Sequence, residues 1–164
     1  MSARWTQARY RAFCAKMAGH GKAKAKVPRV KAWSKPEIRY NLRFLGGKGE
    51  YEPEEIQITP DDAEKHVYTT DFRTLGDTVY APVPVYHEVK GSYRLQSQDA
   101  ARLRWLFASI ARPFAWFVWA KERKDGAWDI EIARNGRVVF KNTKVLGYKL
   151  QEKFGGWEVL WQTR

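Results

Sequence analysis

Asp71 is followed seventeen residues later by Glu88-Val89-Lys90, and both groups fall in segments with strand character, 66–73 and 83–91. Side chains alternate across a strand, so Glu88 and Lys90 project from one face while Val89 points to the other. Two carboxylates and an ammonium gathered on a sheet are a poor foundation for an apolar core. They suit a divalent metal held beside a phosphate. Phosphodiester hydrolysis needs a positioned water, neutralisation of charge at phosphorus and help for the departing 3′ oxygen, and carboxylate-held Mg²⁺ can serve all three. Asp71 and Glu88 are the candidate ligands, with the Val89 carbonyl as a third. Lys90 would position or activate the water, or offset the transition-state charge.

The elements that must carry these residues can be read from capping and periodicity. Ser34-Lys35-Pro36-Glu37 combines an N-cap serine, a first-turn proline and a glutamate three residues on, the capping-box pattern. The helix should run to Gly46-Gly47 with Ile38, Leu42 and Leu45 as its apolar stripe. Residues 50–64 carry seven acidic and no basic side chains, which suggests a solvated hairpin around Ile56-Gln57-Ile58. After the two strands, a helix capped by Ser97 and closed by Pro113 should bury Leu103, Leu106, Phe107 and Ile110, leaving Arg102, Arg104 and Trp105 off the stripe. Phe114–Ala120 is apolar at nearly every position and reads as a central strand covered on both faces. Strands are also expected over Ala127–Ala133, Arg137–Phe140 and Trp157–Trp161, with Asn135-Gly136 turning a hairpin.

The chain has 164 residues, a net charge of +12 and a hydrophobic content of 44%, enough for one compact domain with a short appendage. Residues 1–32 hold nine Lys and Arg and no acid. They divide the chain into a basic arm, 1–32, comprising a helix over 3–18 and a Lys/Ala linker, and a domain over 33–164. Such a balance points to an anionic partner, most simply nucleic acid. Arg4, Arg9, Arg11, Lys22, Lys24 and Lys26 of the arm, with Arg94, Arg102 and Arg104 after the Glu88 strand, are the candidate phosphate contacts. The single cysteine, Cys14, excludes a disulfide framework and a cysteine-rich zinc site. His20, His66 and His87 share no metal-binding spacing, and His87 should face away from Glu88 into packing. No apolar run reaches the ~20 residues that cross a bilayer, and no secretory leader is visible. A cytoplasmic setting is expected, that of the host cell if the chain is phage-encoded.

These residues resemble the signature of the PD-(D/E)XK nuclease superfamily, an acidic residue followed by a strand carrying (D/E)-x-K. Tyr68-Thr69-Thr70-Asp71-Phe72 is similar to its Y-x-P-D-F segment with threonine in place of proline, and His87-Glu88-Val89-Lys90-Gly91 to its E-x-K-G segment. Ser34-Lys35-Pro36-Glu37 looks like the first-helix motif that contributes a glutamate. The likeness spans about 33–120 and is nearest to small phage nucleases of the Holliday-junction resolvase type. It implies an α/β restriction-endonuclease-like core, a mixed sheet flanked by helices, with the basic arm before it and a small C-terminal β extension after it. It also implies Mg²⁺ dependence with Mn²⁺ as a substitute, a 5′-phosphate product, Glu37 in the site with Asp71, Glu88 and Lys90, branched or duplex DNA as partner, and a possible homodimer. A non-catalytic nucleic-acid-binding protein on the same scaffold and a sequence-specific restriction-type enzyme are the alternatives.

Overall fold

A computed structural model of the chain describes residues 33–59, 66–76, 82–92, 97–153 and 156–163, all within the unit Trp33–Arg164. The arm residues 1–32, Arg94 and the helix expected over 3–18 lie outside the described residues.

The described residues form a mixed α/β architecture, with two helices and a sheet-rich core. Helix α1 (Lys35–Phe44) precedes β1 (Glu50–Tyr51), β2 (Glu55–Gln57), β3 (Val67–Thr69), β4 (Phe72–Gly76) and β5 (Val83–Lys90). Helix α2 (Ser97–Ala111) then leads into β6 (Trp116–Glu122), β7 (Trp128–Arg134), β8 (Arg137–Lys153) and β9 (Gly156–Thr163). Seven strands form one sheet in the order β1-β4-β5-β6-β7-β8-β9, and β2 pairs with β3 separately. Among the described residues only β5 and β6 pair in parallel. A parallel pair needs a long crossover, and α2 is in that connection. The C-terminal strands are thus no small extension: β8 is 17 residues long and continues the main sheet.

Local chemistry explains most boundaries. In α1, Ser34 Oγ accepts from Glu37 N while the Glu37 carboxylate accepts from Ser34 N, completing the capping box. Gly46 and Gly47 take positive φ just past its last turn. Asn135 and Gly136 have φ of 48° and 76°, the left-handed pair that lets a two-residue turn follow the twist of β7 and β8. The central strand expected over Phe114–Ala120 is β6, which starts two residues later: it is buried at every position but Lys121, as a central strand requires, while Phe114 precedes it and is 80% exposed.

The helix faces depart from the expected stripes. In α1 the buried residues are Tyr40 and Asn41, while Ile38 and Leu42 are exposed. Tyr40 stacks on Phe44 at 4.8 Å and packs on Trp128 at 5.3 Å. In α2, Trp105 and Ala108 are fully buried, whereas Leu103, Phe107 and Ile110 are more than half exposed. Both sets in each helix have helical spacing, so periodicity did not choose between them. The aromatic ring carries more apolar area than the competing aliphatics, and alanine lets α2 lie close to the sheet with Trp105 against Trp119 at 5.7 Å. The acidic block departs too. Ile56 is fully buried, Glu50 pairs with Arg73, and Glu54 accepts from the Tyr86 hydroxyl and pairs with Arg112.

The sheet separates two cores. One gathers Tyr40, Phe72, Val85, Val89, Val118, Trp128 and Ile130. The other gathers Ile56, Tyr68, Tyr86, Trp105, Phe117 and Trp119. His87 faces away from Glu88 into packing as expected, on the α1 side, its Nδ1 3.1 Å from Tyr40 Oη and its Nε2 2.8 Å from Thr74 Oγ1. Burial pushes its pKa down to about 3, so it is neutral in the core.

The reassigned α2 face is checked by chemical denaturation of two variants. Trp105→Ala should cost about 3–5 kcal/mol, and Leu103→Ala should change stability by no more than about 0.5 kcal/mol. The reverse ranking would restore the Leu103 stripe to the core.

Candidate active site

The segment 66–73 is not one strand. β3 ends at Thr69, β4 begins at Phe72, and Thr70-Asp71 form the break. The β4–β5 ladder runs from Gly76↔Val83 to Phe72↔His87 and stops there. Beyond it the Val89 N–H donates to Asp71 Oδ2 at 2.7 Å. A side-chain carboxylate thus occupies the next rung, while the Asp71 carbonyl turns to accept from Glu52 N at 3.0 Å. Asp71 was expected within a strand; it sits at the break because its carboxylate, not its backbone, pairs with β5. The N–H and C=O of one strand residue point toward the same neighbour. The Val89 carbonyl therefore faces the gap that β4 has vacated.

Glu88 is buried beside this rung. Its Oε2 accepts from the Tyr68 hydroxyl at 2.5 Å, and its Oε1 accepts from Lys90 Nζ. Glu88 and Lys90 share a face, as strand alternation requires. Lys90 Nζ also lies 5.5 Å from the centre of the Trp119 ring, a cation–π contact that keeps the ammonium over β6. In the parallel register Glu88 is level with Trp119 and Lys90 with Lys121.

The electrostatics follow from this crowding. Asp71 is raised from 3.8 to about 7, first by loss of solvent and then by the Glu88 charge. The Val89 N–H and the Lys90 charge pull the other way, and Glu37 adds to the rise. The Tyr68 phenol is pushed well above its ordinary value by burial and by Glu88, so it remains a donor. Glu37 belongs to this electrostatic neighbourhood while its carboxylate also closes the capping box on Ser34. A Cβ on Gly91 would stand 3.3 Å from Pro36 Cγ, so glycine there lets the start of α1 approach the end of β5.

Among the described residues, no group of three Asp, Glu, His or Cys side chains is arranged to hold a metal ion. The donors present nevertheless fit a hard divalent cation. Mg²⁺ is commonly held by one or two carboxylates with waters and substrate phosphate, and here two carboxylates lie beside a strand carbonyl where the β4–β5 backbone ladder ends. Asp71, Glu88 and the Val89 carbonyl would hold it. Burial first and the Glu88 charge second raise the Asp71 pKa, and a bound cation would favour the ionised form of both carboxylates.

The structure therefore brings Asp71, Glu88, Val89 and Lys90 together, while Glu37 closes the capping box on Ser34 and reaches Asp71 only through its charge. Arg104 is exposed on α2, and its charge reaches the Tyr68 phenol. Arg102 is committed elsewhere: its Nε and Nη2 both donate to Glu131 Oε2, at 2.9 and 2.7 Å. Arg4, Arg9, Arg11, Lys22, Lys24, Lys26 and Arg94 lie outside the described residues. Two contributors escaped the sequence reading. Tyr68 was named only as the first residue of the segment similar to Y-x-P-D-F and was given no role. Trp119 was taken as core, which it is at 6% exposure, and its contact with Lys90 depends on a parallel register that no local pattern encodes. Comparison with protein-family models, curated proteins and solved structures finds no match.

A pH series in EDTA tests the carboxylate pair. Asp71 binds its proton more tightly in the folded chain than in the unfolded one, so its contribution to stability is lost as pH rises from about 4 through about 7. Asp71→Asn cannot ionise. Its Tm minus that of the wild type should grow between pH 5 and pH 8; a constant or shrinking difference would contradict the pairing.

Proposed function

We propose that this protein is a metal-dependent DNA endonuclease with a PD-(D/E)XK-type core, selective for branched DNA in the manner of a junction resolvase. The observation that carries the reading is the Asp71 carboxylate standing in for a strand rung beside the Glu88–Lys90 pair. An ordinary sheet would close that rung with backbone. Here two partly desolvated carboxylates are held together at a cost in charge repulsion, next to an ammonium, in a chain of net charge +12. Structural ion pairs do not require the second carboxylate. A carboxylate-held divalent cation uses both.

In this reading a divalent cation, when bound, neutralises charge on the scissile phosphate and acidifies water. Asp71 and Glu88 fix where that charge can sit, and Tyr68 locks the Glu88 rotamer by donating to Oε2. Lys90 orients the attacking water or offsets charge on the phosphoryl oxygens, and its seat over Trp119 limits its range. Water adds to phosphorus as the P–O3′ bond breaks. The water's proton is released to solvent and the 3′ oxygen is protonated, leaving a 5′-phosphate and a 3′-hydroxyl. Glu37 adds negative potential at the mouth of the site. Arg104 and the basic arm would grip backbone phosphates without reading sequence, which makes binding strongly salt-dependent.

Plasmid, linear duplex and synthetic four-way junctions incubated in Mg²⁺ or EDTA test this directly. The wild type should cut junctions only with the metal. Asp71→Asn, Glu88→Gln and Lys90→Ala should each lose on the order of 10²-fold or more in rate while junction affinity stays within a few-fold. Unchanged Mg²⁺-dependent cutting in all three variants would sink the assignment. Binding without cutting by the wild type would favour a non-catalytic scaffold, and defined cuts in linear duplex a restriction-type enzyme.

A further inference from the structure

Glu88 and Lys90 are not the last charged residues on their face of the sheet. In the parallel β5–β6 register Glu88 is level with Trp119 and Lys90 with Lys121, and residues level in a ladder share a face. The β6–β7 and β7–β8 registers carry the same face on through Asp129 and Glu131 to Lys141. A cleft of about 210 Å³ opens on this row, lined by Trp119, Lys121, Asp129, Glu131, Lys141 and Thr143 among others. Both acids that line it are already paired. Glu131 accepts from Arg102 at 2.7 Å and pairs with Lys141 at 2.9 Å. Asp129 is opposite Lys121 in the β6–β7 ladder, yet it pairs with Arg123 at 3.2 Å.

Lys121 is left half-buried, with no carboxylate partner among the described residues. Its neighbour Lys90 has Glu88. Two ammoniums level on adjacent strands, whose backbones stand ~4.8 Å apart, repel each other, and only one of them has an internal counter-ion. The remaining charge calls for an anion from outside the chain. A DNA strand carries such an anion on either side of the bond to be cut. We propose that Lys121 is a positioning residue that binds the phosphate next to the scissile one, while Lys90 serves the scissile phosphate itself. The inference rests on the nuclease reading for its ligand. It adds a second point of attachment to that reading: a strand held by one phosphate can swivel, and a second phosphate held on the next β-strand fixes its direction across the sheet.

The test reads binding in EDTA, apart from cleavage. Full-length wild type, Lys121→Gln and Lys121→Arg are titrated with synthetic four-way junctions over a range of salt concentrations. The titrations are repeated with junctions in which single phosphates around the branch are replaced by neutral methylphosphonates. Lys121→Gln should make the slope of log K against log salt shallower by about 0.9 and weaken binding on the order of tenfold. Lys121→Arg, which keeps the charge, should retain the wild-type slope. One methylphosphonate should weaken the wild type by a similar factor and leave Lys121→Gln no weaker, and that phosphate should adjoin the bond that the wild type cuts in Mg²⁺. The Tm of Lys121→Gln should be no lower than that of the wild type, because the removed charge has no internal partner; a lysine with a purely structural role would lower it. Junction affinity and slope unmoved by Lys121→Gln, losses that simply add at every methylphosphonate position, or a coupled phosphate remote from the cut would overturn the proposal. If one phosphate couples to Lys121 and the wild type cuts no DNA in Mg²⁺, the phosphate site stands and the nuclease reading fails. Cutting without such coupling has the reverse meaning.

Discussion

The region around the candidate site depends on one hydrogen bond, from the Val89 N–H to Asp71 Oδ2 at 2.7 Å. It replaces the backbone pairing that would otherwise extend the β4–β5 ladder past Phe72↔His87. A buried strand N–H must find an acceptor, and here the acceptor is a carboxylate. The choice has two consequences. It breaks the chain at Thr70-Asp71 and frees the hairpin β2–β3 to fold over α2. It also places a carboxylate beside Glu88, where loss of solvent and like charge both act against its ionisation. One bond thus links the local architecture to the electrostatic character of the site.

The rest of β5 shows why that strand can bear such a load. Val85 and Val89 pack into the core under α1, and His87 joins them through Tyr40. His87 is neutral there and makes hydrogen bonds through both ring nitrogens. The alternate residues Tyr86, Glu88 and Lys90 face the other way, progressing from apolar core to charge along the strand. The polar end is supported on three sides, by Tyr68 from β3, by Trp119 from β6 and by the start of α1 near Gly91. Buried charge is tolerated when every partner is in place, and here the partners come from elements distant in sequence.

That distribution decides what could be read from the sequence. The capping box at Ser34–Glu37, the Asn135-Gly136 turn, the doubly buried β6 and the shared face of Glu88 and Lys90 are local properties, and each is present as expected. The helix faces were not legible, because Ile38/Leu42 and Tyr40/Phe44, or Leu103/Phe107 and Trp105/Ala108, satisfy the same period, and only the opposing sheet selects one. The strand break at Asp71 was not legible either, since it depends on Val89, eighteen residues away. The reach of β8 and β9 also went unseen: the β8–β9 register, from Val145↔Thr163 to Lys153↔Gly156, is fixed by packing of Trp157, Val159 and Trp161 on the main core. Asp71, Glu88 and Lys90 were found by type and spacing, but the contacts that place them come from across the sheet and were not.

The central claim is that Asp71 and Glu88 form one site for a hard divalent cation where the β4–β5 ladder ends. The most direct measurement is Mn²⁺ binding to the full-length protein, followed by the paramagnetic relaxation of water protons with Mg²⁺ as competitor. The account predicts saturable Mn²⁺ binding that Mg²⁺ displaces and that Asp71→Asn and Glu88→Gln each weaken by at least about tenfold. Equal Mn²⁺ affinity in the wild type and both variants would contradict it.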